Sequence, residues 1–190
     1  PESGSASVSD LTLKAGQLSG KGNASTDGKK LDAALSLALS SLKGIAPSLS
    51  GPLELKLRAS GPLLSPGGEL TLASPHLGVE TATLEGLRVR LSTPSVGVAG
   101  GKGTLDVSAT LRDASVKALQ AGAPLRFSTE WQFAADRFSL HKTRLDAPGI
   151  GLSGTLDALP AKRRLDGGFR LAVTDWAALS SLTGVPLNGS

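Results

Sequence analysis

The feature that most constrains this chain is a period-two alternation of aliphatic and polar residues, returning again and again between glycine and proline punctuation. Leu53, Leu55 and Leu57 alternate with Glu54, Lys56 and Arg58, and Leu87, Val89 and Leu91 alternate with Arg88 and Arg90. Leu105 and Val107 sit among Asp106 and Ser108, while Leu35, Leu37 and Leu39 keep the same rhythm earlier in the chain. Leu125 with Phe127, Phe138 with Leu140, and Phe169 with Leu171 and Val173 carry it toward the C-terminal end. Successive side chains on a strand point to opposite faces, so each run predicts a strand with one apolar and one polar side. Asp27-Gly28, Gly51-Pro52, Gly61-Pro62, Pro66-Gly67-Gly68, Gly100-Gly101, Pro148-Gly149 and Gly167-Gly168 read as the turns between them. The sum is an all-β chain of about a dozen short antiparallel strands.

Helical segments are few. Asp113 is placed to cap a short helix from Ala114 to Gln120, closed by Gly122, and Asp175 to cap another from Trp176 to Leu182, closed by Gly184. Helices this short depend on packing against the sheet. No linker divides the 190 residues, so a single domain over 1–190 is expected. The chain has no Met and begins at Pro1, which reads as a segment of a longer protein.

Composition narrows the function. Hydrophobic residues make up 39% of the chain but aromatics only 3%, and Cys is absent. The apolar content is too high for disorder, and the missing thiols remove disulfide scaffolds, zinc-thiolate centres and cysteine nucleophiles. His76 and His141 are the two histidines, and neither stands at ligand spacing from a carboxylate or a second histidine. No metal site, cofactor or catalytic residue is expected, and the carboxylates are scattered singly. Gly100-Gly101-Lys102-Gly103-Thr104 lacks the first glycine and the Ser or Thr directly after Lys that a phosphate-binding P-loop needs, so it reads as a turn. The net charge is +4, but the longest basic runs are Lys29-Lys30 and Lys162-Arg163-Arg164, too short to point to nucleic acid.

An internal repeat is present. Leu18-Ser19-Gly20 recurs as Leu152-Ser153-Gly154, and at the same offset of 134 residues Lys29-Lys30-Leu31-Asp32 matches Arg163-Arg164-Leu165-Asp166. Eight of the 25 residues from 18 to 42 are identical in the second copy, against roughly two by chance in a leucine-rich chain. After a four-residue insertion, Leu49-Ser50-Gly51 matches Leu187-Asn188-Gly189, so the copies span 18–51 and 152–189.

The recurring phrases are Leu-Ser-Gly before a hairpin, a Leu-Asp strand and a short link. In the first copy Ala59-Ser60-Gly61-Pro62 then ends a strand, and Glu69-Leu70-Thr71-Leu72 begins a new hairpin. Phe138-Ser139-Leu140 through Leu156-Asp157 follows the same plan, with an apolar-Pro-Gly break before Leu-Ser-Gly-Thr-Leu. In these phrases the chain resembles the AsmA-like superfamily of Gram-negative bacteria, and within it the TamB type, the inner-membrane component of the translocation and assembly module. The resemblance runs over residues 10 to 190. It implies an elongated antiparallel sheet curled into an open U-shaped groove, the β-taco or repeating β-groove, lying in the periplasm below an inner-membrane anchor. It further implies that the concave face carries phospholipid acyl chains between the membranes. The partner it implies is an Omp85-type outer-membrane barrel, reached through a region outside this segment. On that reading the groove is lined by Leu35, Leu37, Leu39, Leu53, Leu55 and Leu57; by Leu70, Leu72, Leu87, Val89, Leu91, Leu105 and Val107; and by Leu125, Phe127, Phe138, Leu140, Leu152, Phe169, Leu171 and Val173.

Alternation alone favours a sandwich or closed barrel, in which the apolar face is covered by the chain itself. The repeat, the scarcity of aromatics and the resemblance turn the expectation toward an open groove. A second functional reading makes the chain a chaperone or scaffold for outer-membrane proteins, pairing with them through its strand edges. A third, a repeat of a surface adhesin, fits the long period and the leucine-rich face poorly.

Overall fold

The computed structural model describes residues 4–44, 46–80, 82–176 and 180. Its strands are β1 (Ala6–Ala15), β2 (Leu18–Thr26), β3 (Lys30–Leu39), β4 (Leu49–Ser50), β5 (Leu53–Pro62) and β6 (Gly67–Val79). They continue with β7 (Ala82–Gly97), β8 (Gly100–Asp113), β9 (Ala123–Ala134), β10 (Arg137–Ala147), β11 (Ile150–Leu159) and β12 (Arg164–Val173). One helical turn, α1 (Lys117–Gln120), lies between β8 and β9, and a 3-10 turn at Pro160–Lys162 joins β11 to β12.

The sheet is antiparallel throughout and follows chain order, β1-β2-β3-β5-β6-β7-β8-β9-β10-β11-β12, with the two-residue β4 attached to β6. β1 and β12 are the two edges and do not pair, so the ribbon is open. This is the all-β, open curled sheet that the repeat, the scarcity of aromatics and the resemblance led us to expect, in place of a sandwich or closed barrel. The chain exposes 12422 Å2, whereas a compact monomer of 19.1 kDa exposes about 8,400 Å2. The excess is what a single layer costs. Among the described residues the buried hydrophobic side chains are Leu42, Leu87, Ala109, Leu119 and Ala123. They gather at one end of the strands, where α1 lies on β8 and the Leu42 amide donates to the Gly51 carbonyl.

Local chemistry explains the turns. The Asp27 carboxylate accepts from the Lys29 and Lys30 amides at 2.9 and 2.7 Å and closes the β2–β3 hairpin. Those backbone donors hold the Asp27 carboxyl below its ordinary 3.8. Its contribution to hairpin stability is therefore complete above 3.8 and is lost as the pH falls through the lower folded value. A carboxyl-detected NMR titration should find Asp27 titrating below 3.8, and Asp27→Asn should remove that acid-side loss of hairpin order.

Three sequence expectations need correction, the first being Gly100 to Thr104, which opens β8 and pairs on both sides instead of forming a turn. Asp113 does not cap a helix from Ala114. Its Oδ1 instead accepts from the Ser115 amide and hydroxyl, forming a local turn, and helix begins only after Val116. Gly167-Gly168 is not a turn but the middle of β12. A Cβ at Gly167 would sit 3.1 Å from Leu156 Cα, so this glycine serves close strand approach rather than a reversal. The second expected helix, Trp176 to Leu182, and the resumed repeat at Leu187-Asn188-Gly189 lie largely outside the described residues.

The strand pairing has a recurrence of its own. β1–β2 pairs Leu11 with Gly22 and Ala15 with Leu18, and β10–β11 pairs Thr143 with Gly154 and Ala147 with Ile150. These are the same hairpin displaced by 132 residues. Each carries a bulge in its first strand, between Val8 and Leu11 and between Leu140 and Thr143. Each bulge holds a non-glycine residue at positive φ, Asp10 at 57° and Lys142 at 51°. β3 and β12 match instead at the 134-residue offset, as Leu18↔Leu39 becomes Ile150↔Val173. A slip of two residues keeps every side chain on its own face.

Candidate functional site

The pairing register turns the separate leucine runs into continuous rows. Directly opposed residues in an antiparallel sheet lie on one face, so neighbours can be followed from strand to strand. One row crosses the whole ribbon with a residue from each strand of the path: Leu13, Gly20, Leu37, Leu55, Leu72, Val89, Val107, Phe127, Leu145, Leu152 and Leu171. At about 4.8 Å per strand it is an apolar track roughly 48 Å long. Its one missing side chain, at Gly20, is roofed by Leu37 Cδ2.

A second row runs beside it through Leu11, Gly22, Leu35, Leu57, Leu70, Leu91 and Leu105 to Thr129, then across the β10 bulge to Thr143, Gly154 and Phe169. Thr129 and Thr143 are both buried, and their hydroxyls bond each other at 2.9 Å while Thr129 also donates to the His141 carbonyl. Both hydroxyls are thus satisfied inside the sheet, so the polar interruption is muted. Further along the strands Leu39 opposes Leu53, Leu87 opposes Ser74, Leu125 opposes Ala109, and Val173 opposes Ile150. Phe138 opposes Phe133 and Leu140 opposes Trp131, whose rings stack with centroids 6.0 Å apart. Every lining residue named from the sequence therefore falls on this one face. Sequence reading missed Leu11, Leu13 and Leu145. The last was hidden because the bulge at His141 and Lys142 reverses the parity of β10.

Nothing among the described residues lies over the rows as a second sheet. The apolar side chains of the middle strands are half-buried by their own neighbours, while Leu11, Phe169 and Leu171 toward the edges are 53%, 51% and 63% exposed. Leu119 of α1 and Leu42 shut only one end of the strands.

The opposite face is polar and charged. Arg90 donates to Glu69 at 2.7 Å, Lys142 to Glu130 at 2.7 Å, and Arg144 to Asp146 at 2.8 Å. The hydrogen bond from Arg90 lowers the Glu69 carboxyl, and Glu69 in turn raises Arg90. These exposed pairs mainly order side chains, because water screens their attraction. His76 is exposed in β6, and His141 stands opposite Glu130 on the charged face.

Among the described residues no three His, Cys, Asp or Glu side chains gather as metal ligands, and no helix is long and apolar enough to cross a membrane. No protein-family model, curated protein or solved structure matches the chain.

Proposed function

We propose that this chain is a non-enzymatic segment of hydrophobic groove that shields phospholipid acyl chains. The observation that carries the reading is the apolar row from Leu13 to Leu171, lacking a side chain only at Gly20, on a sheet with no second layer among the described residues. Each methylene kept from water is worth about 0.8 kcal/mol, and aliphatic contact has no directional bonds to break, so a chain held there can slide along the row. A face of this size left bare would drive aggregation, which favours a resident apolar ligand. The TamB-like phrases in the sequence support a site of action in the periplasm. The parent would be anchored in the inner membrane and work with an Omp85-type barrel in outer-membrane biogenesis.

The test is photo-crosslinking in Gram-negative cells. Probes at Leu55, Val89 and Leu171 should capture phospholipid, and probes at Lys56 and Arg170 on the opposite face should not. Equal labelling of both faces defeats the proposal. A second reading, a scaffold for outer-membrane proteins, is favoured by one observation. β1 is exposed along its whole length and β12 up to Ala172, leaving two unpaired edges. Crosslinks from β12 edge positions to nascent barrel strands, with no lipid on the leucine face, would support it instead.

A further inference from the structure

The charged face holds a feature that acyl-chain shielding does not use. Arg88 and Arg90 of β7, Arg126 of β9 and Arg144 of β10 line one depression of about 420 Å3. Two of the four are already engaged, Arg90 with Glu69 and Arg144 with Asp146. Arg88 and Arg126 have no ion-pair partner among the described residues. The register sets these two on either side of Ser108, since Arg88 opposes Ser108 and Ser108 opposes Arg126. Their Cα atoms are thus two strand spacings apart, about 9.6 Å. One strand closer, the guanidinium groups would crowd each other. At two, their forks can turn inward on a single anion above the Ser108 hydroxyl.

We propose that Arg88, Ser108 and Arg126 form a binding site for a phosphate group on the polar face of the sheet, whether the phosphate belongs to a lipid headgroup or is free. Guanidinium is suited to phosphate because its planar fork gives two parallel N–H donors, and a tetrahedral anion has enough oxygens for two forks and a hydroxyl. Arg90 and Arg144, each neutralised by its carboxylate partner, flank the unpaired Arg88 and Arg126 and line the same depression. Asp106 also lines the depression, in the row beside Ser108, and lies opposite Arg90, with which it interacts. The site is on the other side of the sheet from the apolar rows, and it stands or falls separately from them.

The test uses inorganic phosphate followed by amide chemical shifts at low salt, and flotation with phosphatidylglycerol or phosphatidylcholine vesicles. Saturable shifts at Ser108, Arg88 and Arg126 are expected, weakened at least about tenfold in Arg88→Ala/Arg126→Ala and about two- to threefold in Ser108→Ala. Arg170→Ala, which removes one exposed charge from the same face, should change affinity less than about twofold. Arg88→Lys/Arg126→Lys keeps the charge and loses the forks, so it should also weaken binding, and it guards against a double alanine variant that fails to fold. Phosphate binding with flotation on phosphatidylglycerol alone, both lost together in the double variants, assigns the headgroup as the source. Phosphate binding without flotation assigns free phosphate. Shifts that do not saturate, or an equal loss in Arg170→Ala, overturn the site.

Discussion

Val89→Asp is expected to reduce phospholipid capture at least about tenfold, equivalent to about 1.4 kcal/mol, while the sheet stays folded. Val89 is the sixth of the eleven positions in the long row, with Leu72 on one side and Val107 on the other. An acyl chain resting there would have to displace water from a carboxylate, or leave that stretch of its own length wet. Either penalty falls in the middle of the track, where no detour exists within the row. The fold should survive because Val89 is only half-buried and a carboxylate there keeps access to water. Val89→Ala shortens the side chain without adding charge and should leave capture within about twofold. Thr71→Asp puts the same charge on the other face of the neighbouring strand, opposite Arg90, and should leave capture unchanged. Lipid phosphorus measured on purified, circular-dichroism-checked protein decides the matter. A folded Val89→Asp variant that carries as much lipid as the unaltered chain would show that the row is not the lipid path.

Alternation made the faces legible in sequence because period two is a local property of the strand. Leu53 to Leu57 and Leu87 to Leu91 needed no partner to declare which side they share. The rows were not legible, because register is set by pairing across turns. That Leu37, Leu55, Leu72 and Val89 fall in one line could not be read from their spacing. Bulges also defeat a period-two reading. Lys142, at positive φ and held to Glu130, inserts one extra residue, so Leu140 and Leu145 share a face although their numbers have opposite parity. The repeat shows the same limit. Leu152-Ser153-Gly154 repeats the letters of Leu18-Ser19-Gly20, yet by register Ile150 stands where Leu18 does, opposite Val173 as Leu18 is opposite Leu39. Glycine was the other blind spot. Gly167-Gly168 has the composition of a turn but the surroundings of a strand centre, and only the neighbouring strand distinguishes them.

Strand glycines consequently divide into two kinds, and substitution should separate them with opposite signs. Gly103 in β8 lies opposite Trp131 in β9 and beside the irregularity between Ser92 and Ser95 in β7. A Cβ placed there would collide with the Ser92 carbonyl oxygen and stand 2.8 Å from Trp131 Cζ2. The indole ring can turn aside, but the carbonyl is backbone and can yield only by disturbing the pairing of β7 with β8. Gly103→Val should therefore destabilise by about 3 kcal/mol, the upper range for overpacking, although valine is among the best strand formers. For a chain of this length that is a fall in melting temperature of about 6–12 °C. Gly168 in β12 has nothing within 4 Å of where its Cβ would be. Gly168→Val there gains strand propensity and loses unfolded-chain freedom, so it should leave the melting temperature unchanged or raise it by about 1–4 °C. Thermal melts of the two variants side by side read both signs. If Gly103→Val melts with the parent chain, the close approach of β7, β8 and the Trp131 ring is wrong, and with it the local register of the row that runs past them.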